Sequence, residues 1–326
     1  MTAKSGSSTS LIVTVLNESE TIEAFLRSLE MQTVHPAEVI LVDGGSTDDT
    51  FERVQRYAAA SRLDIVALRC PGIGISEGRN IAIERAATQW VLVADAGTIL
   101  DRRWLEFMAS AICDDIDVIG GFFRPLPGSF FESALGAIIT PTVDEISART
   151  FLPSSRSFGF RKSVWRASGG YPEWLDYCED LVFDQELRRI GARFAFVPEA
   201  IAAWIARPTM WAFMMQYYRY ARGDGKAGLF TRRHLARYGA YASAAALLVG
   251  GLYVTPVCLG LIVLGAALYL QRFVRRVLKR RQELSWRVPA TLAVLTPLVV
   301  AGDLAKMAGY PVGRWRRHKW GVGEAV

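Results

Sequence analysis

The sequence predicts an α/β fold, a mostly parallel sheet with helices on both faces, followed by an apolar helical segment. Three observations carry this expectation. Short apolar runs alternate with helically spaced stretches from Leu11 to Ala94, and such alternation pairs strands in parallel beneath crossover helices. The strands end on polar residues, and open α/β sheets bind ligands at the carboxyl ends of their strands. Finally, Ala240–Leu270 contains no charged residue over 31 positions, a membrane signal.

Leu11–Val15 alternates little between apolar and polar residues and is bounded by polar ones, so it reads as a buried first strand. Glu20–Met31 follows with helical spacing at Ile22, Phe25, Leu26 and Leu29. The unit then repeats: strand Glu38–Val42 and helix Asp49–Ala60, strand Ile65–Leu68 and helix Ser76–Ala87, then strand Trp90–Ala94. Beyond Asp95 come a short helix at Trp104-Leu105, a strand near Val118–Gly121, and a less regular section. Phe160–Trp165 leads through Gly169-Gly170-Tyr171-Pro172 to Glu179-Asp180, which open a helix over Leu181–Ile190. Gly191–Ala200 reads as a turn and a strand, and Met210–Arg222 as an aromatic-rich helix with Gln216, Arg219 and Arg222 on one face.

Val91-Leu-Val-Ala is too short for a helix and too apolar for a surface loop, so it delivers Asp95 to the carboxyl end of a core strand. Capping of the following helix is the plain alternative for this acid. Asp43 ends another strand of the same sheet, which puts both acids on one rim. Ser46–Asp49 has a good capping explanation, but capping leaves Gly44 and Gly45 unexplained; these suit a backbone that must approach a flat ligand. Acids at a helix start, as at Glu179-Asp180, commonly only complement the helix dipole.

Gly72-Ile-Gly74-Ile-Ser-Glu-Gly78 imitates a dinucleotide-binding fingerprint. Its glycines follow the third strand rather than the first, their spacing is G-x-G-x-x-x-G, and Asp43 would have no role. That reading gives way.

The net charge of +6 is unevenly spread: residues 229–326 hold 15 Lys+Arg against 3 Asp+Glu, leaving residues 1–228 at −6. A basic, apolar tail on an acidic body points to an anionic membrane surface rather than to nucleic acid. Cys70, Cys113, Cys178 and Cys258 show no paired spacing, which fits a reducing compartment and neither a disulfide framework nor a zinc site. Residues 1–9 are expected to be a flexible tail; the first ten residues lack an apolar signal core, so residues 10–228 are expected to form a cytoplasmic domain.

As one helix, Ala240–Leu270 would run ~46 Å and need a tilt of ~50° to fit a ~30 Å core. Two passes turning near Gly250-Gly251 or Thr255-Pro256 fit better, and basic flanks on both sides put both ends in the cytoplasm of a multi-pass inner-membrane protein. Val288–Ala301 is uncharged for 14 residues with Pro289 and Pro297 inside it, so residues 288–310 read as interfacial or re-entrant.

Taken together, Thr14/Asn17/Glu18, Asp43, Arg79-Asn80, Asp95-Ala96-Gly97, Glu179-Asp180 and Gln216-x-x-Arg219-Tyr220 resemble the glycosyltransferase family 2 pattern, inverting transferases with a GT-A fold that use nucleotide-diphosphate sugars. The resemblance spans about residues 10 to 228, five motifs in order on the appropriate elements when the Thr14/Asn17/Glu18 loop and Asp43 are taken as one nucleoside-binding motif. It implies that Thr14, Asn17, Glu18 and Asp43, with Gly44 and Ser46, hold the base and ribose. Arg79 and Asn80 would lie by the donor. Asp95, with Ala96 and Gly97, would meet the diphosphate through a divalent cation (Mg or Mn), and Glu179-Asp180 would supply the catalytic base. Gln216, Arg219 and Arg222 would serve the diphosphate or the acceptor.

Two departures fall on metal ligands. Gly97 stands where the second acid of D-x-D is usual, and Trp204 where many members carry a histidine, which leaves the need for a metal open. Arginines offer another way to neutralise the leaving diphosphate. The expected activity is transfer to a lipid-linked or glycan acceptor at the membrane, with membrane lipids as partners. A polyprenyl-phosphate sugar synthase and a non-catalytic nucleotide-sugar-binding protein are the two rivals.

Overall fold

The computed structural model describes residues 8–319. The chain forms two compact units: one comprises the chain up to Leu126 with Thr142–Ile205, the other Pro127–Pro141 with the chain from Ala206. Residues 1–7 of the expected tail and 320–326 lie outside the described residues, and Thr9 already belongs to the first strand.

The first unit is built from β1 (Thr9–Val15), α1 (Ile22–Glu30), β2 (Glu38–Asp43), α2 (Thr50–Ala60), β3 (Ile65–Arg69), α3 (Ile75–Arg85), β4 (Trp90–Val93) and β5 (Thr98–Leu100). The chain continues through α4 (Trp104–Ser110) and β6 (Val118–Pro125), leaves the unit for α5 (Phe130–Ile139), and returns with β7 (Phe158–Arg161), α6 (Lys162–Ser168), α7 (Glu179–Arg189) and β8 (Phe194–Trp204). The eight strands form one sheet in the order β3-β2-β1-β4-β7-β6-β8-β5. β1 pairs in parallel with β2 and β4, β2 with β3, and β6 with β8, whereas β7 runs antiparallel to both its neighbours and β5 antiparallel to β8.

The apolar runs become strands because both faces are covered. Leu11, Val13, Leu41 and Leu92 pack toward α1 and α4, while Ile12, Ile40, Val91 and Val93 face α3 and α7. Such two-sided burial is what an uninterrupted apolar strand requires. Because β2 and β3 lie to one side of β1 and β4 to the other, the order reverses at β1, and its carboxyl edge is the crevice where such sheets take ligands.

The second unit contains α5, α8 (Met210–Ala227), α9 (Thr231–Tyr253), α10 (Val257–Lys279), the short α11 (Arg281–Leu284) and α12 (Val288–Lys319). α9 and α10 form a helical hairpin turning at Val254–Pro256, near the expected glycine and proline positions. Residues 288–319 form one helix of 32 residues with Pro297 and Pro311 inside it, extending beyond the expected 288–310 segment. That length, ~48 Å at 1.5 Å per residue, spans more than the uncharged run indicated. α10 and the 281–319 stretch are long and apolar enough to cross a membrane by length and composition.

α8 and α12 touch backbone to backbone. A Cβ on Gly309 would lie 2.2 Å from the Tyr218 carbonyl oxygen, and one on Gly313 would lie 2.0 Å from that of Arg222. Small residues allow this approach. Part of the basic flank has an internal task as well. Arg280 donates to the carbonyls of Ala137 (3.1 Å), Thr140 (2.9 Å) and Pro141 (2.9 Å), and Arg276 to those of Ile138 and Ile139 (both 3.2 Å), so the two arginines close the carboxyl end of α5.

Candidate active site

The sheet's carboxyl edge gathers most of the sequence-nominated residues. Thr14 and Val15 end β1 in register with Val42 and Asp43 of β2. After β1 the chain turns through Asn17, whose φ of +55° is a left-handed conformation that asparagine tolerates. Its amide N–H donates to Ser46 Oγ (2.9 Å), and its Oδ1 accepts the Thr47 amide (2.8 Å). Glu18 donates its amide to Thr50 Oγ1 (2.8 Å). The loops after β1 and β2 are thus tied to each other side chain to backbone.

Asp43 is fully buried. Its Oδ1 accepts the amides of Gly45 (2.8 Å) and Ser46 (2.7 Å), while Oδ2 has no hydrogen-bond partner among the described residues. A buried carboxylate oxygen left without a donor is costly unless something else supplies one. The glycine behind it is required: Gly45 has φ +102°, and a Cβ there would sit 2.9 Å from Pro71 Cα. Gly44 is likewise confined, its added Cβ meeting the Ile73 carbonyl at 3.3 Å.

Arg79 on α3 sits nearly inaccessible between three groups. Nη1 donates to Glu179 Oε1 (2.7 Å), Nη2 donates to Asp95 Oδ1 (3.2 Å), and the guanidinium lies 5.2 Å from the Tyr171 ring centroid. Burial alone works against its charge, but the Glu179 carboxylate, with Tyr171 and Asp95, more than offsets that and holds Arg79 protonated above its ordinary value. Its neighbour Asn80 faces the protein instead. Asn80 Oδ1 accepts the Tyr171 amide (2.9 Å) and Trp165 Nε1 (3.1 Å), and Nδ2 donates to the Tyr171 carbonyl and Glu173 Oε1 (both 2.9 Å). The amide therefore fixes the Gly169–Pro172 loop, its polar atoms already engaged.

α7 begins beneath this pair. Cys178, at the N-cap, takes φ +65°, a strained entry for a non-glycine residue that turns Glu179 and Asp180 toward the sheet edge. Glu179 is buried and bound to Arg79. Asp180 Oδ1 accepts the Leu181 amide (2.9 Å). Desolvation, then the adjacent Glu179, push the Asp180 carboxyl up to about 6, Arg79 opposing them. The two acids thus differ in setting: one anchors a cation, and the other is a carboxyl whose pKa is raised toward neutrality.

Two residues here escaped the sequence reading. Asp184, one helical turn beyond Asp180, is fully buried with neither carboxyl oxygen hydrogen-bonded among the described residues, and burial followed by repulsion from Asp180 raises its pKa well above the carboxylate range. Arg156 precedes β7. Its Nε lies 4.0 Å from Asp95 Oδ2, and its guanidinium is 5.2 Å from the Trp204 ring centroid and 5.5 Å from that of Phe123. The next residue pins it: Ser157 Oγ accepts Trp104 Nε1 (2.7 Å) and donates to the Ala200 carbonyl (2.9 Å). The only advance signal was a basic residue within Ser154-Ser-Arg-Ser157, which has no periodicity to interpret.

Ala96 is buried, and a Cβ on Gly97 would lie 3.9 Å from Glu18 Oε2, itself bonded to the Thr21 hydroxyl. Asp95 is faced by a guanidinium at each oxygen, and among the described residues no group of three or more His, Cys, Asp or Glu is placed to hold a metal ion. This donor set does not fit a carboxylate-bound divalent cation. Gln216, Arg219 and Arg222 lie on α8 in the second unit, where Gln216 Nε2 donates to the Tyr220 hydroxyl (3.0 Å).

Comparison with known proteins accords with this geometry. Residues 10–161 match the family described as Glycosyl transferase family 2. Glycosyltransferase AglE of Haloferax volcanii is 26% identical over 253 residues, 76% of this chain and 82% of its own. The N-acetylglucosaminyl-diphospho-decaprenol L-rhamnosyltransferase of Mycobacterium tuberculosis is 27% identical over 220 residues, 55% of this chain and 70% of that one. Among solved structures, the mannosyltransferase PcManGT of Pyrobaculum calidifontis, in complex with GDP-Man and Mn2+, shares the fold with a TM-score of 0.55 over 97% of this chain and 88% of its own, at 18% identity. With the sheet order and the family match in agreement, residues 10–161 are a glycosyl transferase family 2 domain of GT-A fold, and the chain is a glycosyltransferase.

Proposed function

We propose that this enzyme transfers a sugar, with inversion, from a nucleotide-diphosphate donor to a lipid-linked acceptor at the cytoplasmic face of a membrane. The observation that carries the reading is the unpartnered, buried Oδ2 of Asp43 at the β1 switch point. An N–H on the edge of a nucleobase supplies the missing donor, and the loop tied by Asn17, Gly44 and Ser46 shapes the slot beside it. The diphosphate then runs toward Asp95, where Arg79 supplies fixed positive charge.

Transfer needs a base for the acceptor hydroxyl and positive charge for the departing diphosphate on the opposite face of the sugar. Asp180 is the base. Glu179 acts through Arg79 and holds the guanidinium in place. Gln216, Arg219 and Arg222 are assigned to the diphosphate or acceptor on the sequence resemblance.

Support for a lipid-linked acceptor comes from the rhamnosyltransferase relative, whose name specifies a diphospho-decaprenol acceptor. The long apolar helices fit a membrane anchor, and exposed Leu252, Tyr253, Val254, Val257 and Val263 fit lipid contact around the α9–α10 turn. Basic residues at both outer ends of that hairpin support a multi-pass topology with the catalytic domain in the cytoplasm. The test is transfer and hydrolysis by the full-length protein with a panel of nucleotide-diphosphate sugars and polyprenyl-linked acceptors. Turnover of at least one donor is expected; donor turnover only with soluble glycan acceptors would remove the lipid-linked assignment.

A further inference from the structure

We propose that Arg156 occupies the electrostatic position of a divalent cation and binds the donor diphosphate directly, so that donor binding is independent of metal. The inference deepens the nucleotide-diphosphate reading and rests on it. Three observations converge. The residue two after Asp95 is Gly97, which offers no carboxylate, and the β8 residue where the resemblance implies a histidine is Trp204, which offers no lone pair to a metal. Trp204 instead gives its ring face to Arg156, the centroid 5.2 Å from the guanidinium carbon, with Phe123 on hand at 5.5 Å. The guanidinium so held lies by Asp95 Oδ2 at 4.0 Å, while Arg79 holds Oδ1 at 3.2 Å.

Trp204, with no lone pair to offer an ion, gives the guanidinium a ring face to rest on instead. A guanidinium is weakly hydrated, keeps its charge at every physiological pH, and presents N–H groups that match phosphate oxygens in a fork. A divalent ion at Asp95 would have to sit against both guanidiniums and would find one carboxylate already engaged by them. Arg79 shares its charge with Glu179, and Arg156 adds a second guanidinium on the other oxygen of Asp95, beside the path of an incoming diphosphate.

The experiment is titration calorimetry of full-length protein with UDP and with GDP, in chelator and in Mn2+ or Mg2+, for the wild type, Arg156→Gln and Arg156→Lys. The expected result is a wild-type affinity that changes less than about threefold between chelator and metal. Arg156→Gln should lose at least about tenfold in chelator, as removal of a charge-assisted phosphate contact does, and Arg156→Lys should lose less, because the charge remains. Thermal unfolding of each variant reports whether it is folded. Binding that requires metal overturns the proposal, most sharply if Glu18→Gln abolishes the metal response, since Glu18 is the acid nearest Gly97. Unchanged chelator affinity in folded Arg156→Gln also overturns it. Failure of UDP and GDP to bind in either buffer, with a wider set of nucleoside diphosphates also silent, instead defeats the underlying nucleotide reading, and this proposal with it.

Discussion

Arg79 Nη1 and Glu179 Oε1 meet at 2.7 Å although 100 residues separate them in the chain. The pair joins α3 to the start of α7 and so ties the carboxyl edge of the sheet to the helix turn that carries Asp180. Both side chains are shielded from water, with 3% and 10% of their side-chain surface exposed. Removing one partner of such a pair leaves a buried charge uncompensated. Arg79→Met is therefore expected to destabilise the protein by about 3–5 kcal/mol in denaturant or thermal unfolding, and Arg79→Met combined with Glu179→Leu to recover part of that loss. If the double variant is no more stable than Arg79→Met alone, Glu179 does not depend on this arginine.

The Asp180 carboxyl, pushed up to about 6 chiefly by burial, must be deprotonated to accept a proton. The transfer rate is therefore expected to rise through an acidic limb centred near that value and to fall about tenfold per pH unit below it, read as kcat/KM for the free enzyme. A profile flat from well below pH 6 to neutrality would assign proton removal elsewhere.

Asp184 is predicted to be a stability liability. Its pKa in the folded protein lies above that of an unfolded aspartate, so the folded state holds more protons, and this contribution is complete below the unfolded pKa and lost as pH rises. Asp184→Asn should therefore raise the melting temperature at neutral pH and flatten its decline with increasing pH. A melting temperature that falls at neutral pH in this variant would mean that the charged form is stabilised.

Asp43→Asn should separate architecture from recognition. The amide keeps an oxygen for the Gly45 and Ser46 N–H groups but turns a donor toward the space that Oδ2 now faces. Folding should survive, while nucleotide affinity falls by about tenfold or more. Unchanged affinity would remove Asp43 from the base-binding slot.

The first half of the sheet was legible because its strands are buried on both faces and read as unbroken apolar runs, and Asp43 and Asp95 stood out as acids at the ends of such runs. The region between β6 and β7 was not. α5 follows an irregular stretch, and its cap at Ser129 and the arginines that close its other end lie far apart in sequence. Arg276 and Arg280 were indistinguishable from a membrane-facing basic flank, because a charge shows its sign in sequence but not its partner. The 14-residue uncharged run at Val288–Ala301 understated the last helix, because α12 runs on through Asp303 and Lys306 to Lys319. Asn80 stood out beside Arg79, but only the fold shows that its amide is occupied by the 169–173 loop. Arg156 acquires its meaning only when β8 brings Trp204 beneath it.

The proposed role of Asp180 as the base of a glycosyl transfer to an acceptor hydroxyl can be measured by single-turnover transfer from a turned-over nucleotide sugar, comparing wild type with Asp180→Asn at equal donor occupancy. Asp180→Asn is expected to lose at least about 100-fold in rate with donor affinity little changed, in keeping with removal of a general base. A rate within a few-fold of wild type would contradict it, and would favour an acceptor nucleophile that needs no base.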